Sequence, residues 1–249
     1  MMFLNKNSGN YFTCIFWTFA VLTMVVSCST NEAPNTVNKK SVPAERGDEK
    51  PEPVKIGNQE WSAKNLSVAH FKNGEEIPQA KSAEDWVKAC NDKKPAWCYY
   101  DFKFTDEYAP FGRLYNWYAV NDSRGLAPEG WHIPSEAEWY DLISFAGQEE
   151  YAGRYLKSKD LWLGDGNGVD EYGFRALPAG LCESNGNCDL WMGMANFWTS
   201  AAKNDSTAVA VSMMGVSYDV ELGRDAAFSA CMVTGEPNGA GFSVRCIKD

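Results

Sequence analysis

The stretch Ile133-Pro134-Ser135-Glu136-Ala137-Glu138-Trp139-Tyr140-Asp141-Leu142-Ile143-Ser144-Phe145-Ala146-Gly147 decides how this chain folds. Ser135 followed three positions later by Glu138 is a capping box: the serine oxygen can accept from the third helical amide while the glutamate reaches back to the serine N–H. Trp139, Leu142, Ile143 and Ala146 then recur at i, i+3, i+4 and i+7, and Gly147 supplies the stop. A second helix is predicted from Gln148 to Ser158, with Tyr151, Tyr155 and Leu156 turned inward. Upstream, Ser82-Ala83-Glu84-Asp85 reads as an N-cap with acids in the first turn, leading to Trp86, Val87 and Cys90. Earlier still, Val54-Lys55-Ile56 and Gln59-Glu60-Trp61 alternate about Gly57-Asn58, which is a hairpin signal. After Lys159 the texture changes to glycine-rich loops and short predicted strands at 174–177, 197–201, 207–213, 216–222 and 241–247. Helices first and strands later, without βαβ alternation, predict an α+β domain with an antiparallel sheet.

Composition narrows the function classes. Of 249 residues, 45% are hydrophobic and 22% charged, too apolar for a disordered chain. Lys plus Arg total 23 against 33 Asp plus Glu, a net charge of −10, and no basic cluster tracks a phosphate backbone, so nucleic acid is not an expected partner. Only two histidines, His70 and His132, are present, too few for a histidine-rich metal site.

The N-terminus reads as an export signal. Lys6 is the only charge in the first 31 residues, and an uncharged run from Tyr11 to Val26 ends on Ser27, Cys28 and Ser29. Val25-Val26-Ser27-Cys28 resembles a bacterial lipobox, so residues 1–27 are expected to be a lipoprotein signal peptide and Cys28 the lipidated mature N-terminus. The run is short for a membrane span. Residues 28–53, with Pro34, Pro43, Pro51 and Pro53 among polar side chains, read as a disordered tether, and 54–249 as the folded domain. The expected address is the cell envelope, at the outer membrane, held by acyl chains because an acidic body is repelled by anionic lipid.

Six cysteines remain in the domain: Cys90, Cys98, Cys182, Cys188, Cys231 and Cys246. An even number in an exported chain suggests disulfides, and sequence grouping favours Cys90–Cys98, Cys182–Cys188 and Cys231–Cys246 among the pairings open to six cysteines. Zinc is disfavoured, since no spacing is C-x-x-C and neither histidine lies near a pair.

Four motifs in order then point to a family: Gly130-Trp131-His132-Ile133-Pro134-Ser135-Glu136-Ala137-Glu138-Trp139, Tyr172-Gly173-Phe174-Arg175-Ala176-Leu177-Pro178-Ala179-Gly180, Phe197-Trp198-Thr199-Ser200 and Gly241-Phe242-Ser243-Val244-Arg245-Cys246. With the 57–66 segment and Leu114-Tyr115-Asn116-Trp117-Tyr118-Ala119, they resemble the Fibrobacter succinogenes major paralogous domain over residues 54–249. That domain occurs in exported and lipid-anchored proteins of Fibrobacter and Bacteroidota-type bacteria, and the resemblance implies no particular activity. A more distant resemblance, through the 134–139 and 241–245 segments, is to the formylglycine-generating enzyme group and the C-type-lectin-like fold. It implies two main helices beside a small twisted antiparallel sheet, with long loops on one side. The reactive cysteine pair of that enzyme group, spaced by four residues, has no counterpart here.

Candidate sites each carry a competing reading. His132 between Trp131 and Ile133 reads as structural against general base or metal ligand, and Ser135 as a helix cap. Asp165, Asn167, Asp170 and Glu171 put four oxygen-bearing side chains in seven residues, a composition that suits calcium, against a plain acidic turn; Val169 breaks the EF-hand pattern. Trp162 and Trp191 lie in glycine-rich segments and are expected to be exposed. If Trp162, Asp165, Asn167, Asp170 and Trp191 line one patch, that patch is the expected binding surface, with sugar as the ligand class, against two indoles that only pack loops. The expected function is therefore a lipid-anchored envelope binding module contacting polysaccharide or an envelope protein, without catalysis. The alternatives are an enzyme on the formylglycine-generating scaffold and a purely structural envelope or adhesin part.

Overall fold

The computed structural model describes residues 51–215 and 231–249. The expected leader, Cys28, most of the tether and the strand expected at 216–222 lie outside these residues; Pro53, placed at the end of the tether, begins the first strand. In chain order the elements are β1 (Pro53–Ile56), β2 (Gln59–Ser62), α1 (Ala83–Asn91), β3 (Trp97–Cys98), β4 (Leu114–Tyr115), α2 (Trp117–Val120), β5 (Trp131–His132), α3 (Glu136–Phe145) and α4 (Gln148–Leu156). There follow β6 (Leu181–Cys182), β7 (Cys188–Asp189), β8 (Met194–Ala202), β9 (Thr207–Met214), β10 (Cys231–Pro237) and β11 (Ile247–Lys248). The fold is mixed α and β, with few helices and small antiparallel sheets. One sheet has the order β1-β2-β11-β5, a second β10-β9-β8, and β3-β4 and β6-β7 form two short ribbons.

Local chemistry explains the elements that the sequence makes plain. Ser135 Oγ accepts from the Glu138 amide at 3.3 Å while Glu138 Oε2 accepts the Ser135 amide at 2.7 Å, so the capping box forms as expected. Ser82 caps α1 through the Asp85 amide at 3.2 Å. Gly57, at φ +59, turns β1 into β2, and Val54 pairs with Trp61. In β9 both faces are buried, as befits the central strand of its sheet.

Three expectations need correction. The inward face of α4 is Ala152, Gly153 and Leu156, not its tyrosines. Tyr151 is 48% exposed and Tyr155 lies at the rim against Tyr172, because the buried face is made of small residues that leave no room for a ring. Residues 174–177 are not a strand: Phe174 and Arg175 give their carbonyls to Arg245, and only Ala176 makes a bridge, to Lys157. Residues 241–247 are likewise not one strand, since the backbone pairs with a different element at nearly every step. Gly241 bridges Cys182, Phe242 bridges Tyr115, Ser243 bridges Phe197, and Ile247 lies between Trp61 and His132. This segment thereby knits three core clusters together, around Trp198 and Phe242, around Trp139 and Phe174, and around Trp86 and Leu114.

Arg245 is the anchor of that segment. It is fully buried, with Nε donating to Asn65 Oδ1 at 2.7 Å, Nη1 to the carbonyls of Ser62 and Phe174 at 2.7 and 2.9 Å, and Nη2 to the carbonyl of Arg175 at 2.9 Å. The guanidinium also stacks 4.6 Å from the Phe174 ring centroid. Burial pulls its pKa down to about 9, so the neutral oxygens around it are what hold the charge in place.

The three-disulfide framework is also corrected. Cys182–Cys188 is the bridge formed among the described residues, and Cys90, Cys98, Cys231 and Cys246 are buried thiols. Cys231 belongs to the Trp139 cluster and Cys246 to the Trp198 cluster, while Cys90 Sγ is turned to the Gly239 carbonyl at 3.2 Å. Burial pushes all four thiols up, Cys90 to about 11 and Cys246 to about 12, so the thiolate needed for disulfide exchange is scarce at each.

Candidate binding surface

The loop candidates do not assemble as the sequence suggests. Trp162 is 3% exposed and fills the core beside Trp139, its Nε1 donating to Ser158 Oγ at 3.1 Å and the Ala176 carbonyl at 3.2 Å, with Lys157 Nζ 4.7 Å above the ring. The loop that carries it is drawn tight by glycine: a Cβ on Gly168 would lie 2.4 Å from the Lys157 carbonyl oxygen, and one on Gly166 2.4 Å from that of Gly215. Asn167 Oδ1 is taken up by the Trp162 amide at 3.1 Å and Asp170 Oδ1 by the Arg175 amide at 2.8 Å, leaving Asp165 and Glu171 exposed. Of the calcium candidates Asp165, Asn167, Asp170 and Glu171, two thus use an oxygen within the loop itself, and among the described residues no three acidic, histidine or cysteine side chains gather to hold a metal ion. Trp162 and its loop are therefore withdrawn from the binding surface.

Trp191 has a different fate. It is half-buried at the surface and packs with Tyr108 at 5.2 Å and 84°, with Tyr100 at 6.1 Å and with Phe111 at 6.0 Å, while Tyr100 and Tyr108 meet at 5.3 Å. The same segment continues through Tyr99 and Phe104, 4.9 Å apart, with Phe104 53% exposed. Beneath Tyr99, Trp97 receives the Arg113 guanidinium 4.0 Å from its centroid. Residues 99–111 thus offer six aromatic side chains in thirteen positions, with Asp101, Lys103, Asp106 and Glu107 between them.

Backbone geometry shows how this surface is held. Asp101, Phe102, Leu190 and Met192 all adopt positive φ, between 52° and 61°, in the two segments that meet here. Such non-glycine residues persist only where their surroundings impose them, here as at Lys93, Gln148, Leu161, Asp170 and Arg175 elsewhere. The Cys182–Cys188 bridge closes the β6-β7 ribbon, and Asp189-Leu190-Trp191 leaves directly from it. Asp189 Oδ1 accepts the Leu190 amide at 2.6 Å, fixing the turn. Burial raises the Tyr100 phenol above its ordinary value, the Trp191 backbone amide opposes this, and the carboxylates of Asp189 and Asp101 add to the rise. The indole N–H of Trp191 has no acceptor among the described residues.

His132 lies elsewhere, between two carboxylates, Nε2 at 2.9 Å from Glu138 Oε1 and Nδ1 at 2.7 Å from Asp249 Oδ1. Burial alone would lower its pKa, but the bonds to Glu138 and Asp249 prevail and raise it. Ser135 Oγ donates to Glu138 Oε2 at 2.8 Å, so the hydroxyl is committed to the helix cap. The trio joins β5, α3 and the chain end. The sequence reading missed Tyr100 and Tyr108 although the aromatic density of 99–111 was visible; Trp191, its partner, arrives some 80 residues later.

Fold and surface together define a mixed α/β module whose loops carry a ring-lined face beside acidic side chains. The chain belongs to the Fibrobacter succinogenes major domain family, whose model matches residues 54–248. Neither the curated proteins nor the solved structures contain a match to it.

Proposed function

We propose that the protein is exported, anchored at the outer membrane through lipid on Cys28, and acts as an envelope binding module that contacts polysaccharide through Trp191, Tyr100 and Tyr108. The observation that carries the reading is the meeting of these three rings at 5.2–6.1 Å, with the Asp101 and Asp189 carboxylates acting on Tyr100. Ring faces cover the C–H face of a sugar, and neighbouring carboxylates accept its hydroxyls. Each contact is weak, and many anchored copies on one surface supply avidity. Small sheets that present long loops also favour kinship with the C-type-lectin-like fold. No catalytic step is assigned, and Trp191 takes over the role that the sequence shared with Trp162.

A glycan array probed with the detergent-solubilised full chain tests the binding role. Saccharide spots bound by wild type and lost in Trp191→Ala support it; an array without signal leaves a structural envelope component as the better reading. Labelling cells with a clickable palmitate analogue tests the anchor, since incorporation that survives Cys28→Ala contradicts it.

A further inference from the structure

We infer that the ring surface selects glycans without anionic substituents. The inference rests on the binding role proposed above and concerns which polymers that surface admits. Along 99–111 and 189–192 the charged residues are Asp101, Asp106, Glu107 and Asp189 against Lys103 alone. All four carboxylates are on exposed residues, and Asp101 and Lys103 offset one another as an ion pair, which leaves a surplus of three carboxylates, Asp106, Glu107 and Asp189. Arg113, two positions beyond the first segment, is buried with its guanidinium spread on Trp97 and Nη1 donating to the Ser67 carbonyl at 2.8 Å, so it is engaged within the fold.

A uronate, sulfate or phosphate laid across the rings therefore meets a net negative rim, with Asp101 and Asp189 acting on Tyr100 and with Asp106 and Glu107 preceding Tyr108 in the chain. A neutral sugar meets the same carboxylates as hydroxyl acceptors. The rim thus acts as a filter by repulsion, which is how specificity arises when the attractive contacts are generic. Two or three like charges within a Debye length weaken an anionic ligand by about tenfold in Kd at low salt, and less as salt rises.

Matched polymers isolate the effect. The full chain in detergent is run through native gels cast with hydroxyethylcellulose or carboxymethylcellulose, and with arabinoxylan or glucuronoxylan, at low and high salt. The expected result is stronger retardation by the neutral member of at least one pair, a difference that shrinks in high salt, and loss of retardation in Trp191→Ala. The triple variant Asp106→Asn, Glu107→Gln, Asp189→Asn should narrow the gap within the pair, and asparagine at 189 keeps the acceptor used by the Leu190 amide. Equal or stronger Trp191-dependent retardation by the anionic member overturns the filter while leaving the binding role intact. Retardation by none of the four polymers overturns both.

Discussion

Gly180 packs against Tyr100 without room for a side chain: a Cβ there would stand 2.9 Å from the Tyr100 ring, 2.9 Å from the Trp191 nitrogen and 2.6 Å from the Asp189 oxygen. At φ +69 the position also demands a backbone that L side chains seldom adopt. One glycine thus lies under both halves of the ring surface. Gly180→Ala should cost about 1–3 kcal/mol in urea unfolding and displace Tyr100 from Trp191. An alanine variant with unchanged midpoint and glycan retention would show that the two halves are not seated on this residue.

The two loop tryptophans should separate cleanly. Trp162→Ala empties a core position and should cost about 3–5 kcal/mol. Trp191→Ala, at the half-buried surface, should cost clearly less. Parallel denaturant melts decide it, and equal losses would place both indoles in the core.

What was legible in the sequence was local. The Gly57-Asn58 turn, the Ser82 cap and the Ser135–Glu138 box each need only neighbours in the chain, and each forms where the residues announce it. What was hidden depended on distant partners. Gly241 to Ile247 reads as one strand by its alternation, yet its pairing changes hands between Cys182, Tyr115, Phe197 and Trp61, which no local pattern encodes. Trp162 reads as exposed because the glycine-rich run from Gly164 to Gly168 follows it, but the glycines fold the loop onto Lys157 and Gly215 and drive the indole inward. Asp249, the second carboxylate on His132, was equally invisible at a separation of 117 residues.

Cysteine chemistry offers a further check. Peptide mapping of the unfolded, unreduced protein should recover Cys182 linked to Cys188 and alkylated thiols at Cys90, Cys98, Cys231 and Cys246. A linked Cys90–Cys98 or Cys231–Cys246 peptide would restore the pairing that sequence grouping suggested.

The clamp on His132 makes stability depend on pH. Its pKa is raised in the folded protein, so its contribution is complete below the ordinary histidine value of about 6.5 and fades as pH rises through the folded value, where the neutral ring can donate to only one of the two carboxylates. Glu138 works in the opposite sense: burial opposes ionisation, but the Ser135 amide and His132 prevail and lower its pKa, so its contribution fails as pH falls through the folded value. His132→Ala should therefore be more destabilising at pH 5.5 than at pH 8.5 in urea melts, by a modest amount because the ring is partly exposed. A larger penalty at the higher pH would reverse the assignment.

Retention of wild type and Trp191→Ala in gels containing a neutral polysaccharide, with circular dichroism melts of both, puts the binding surface to its plainest trial. Wild type should be retarded and Trp191→Ala should run free while still folding cooperatively. Full retention of a folded Trp191→Ala protein would contradict the assignment of this ring surface as the place where the module meets its ligand.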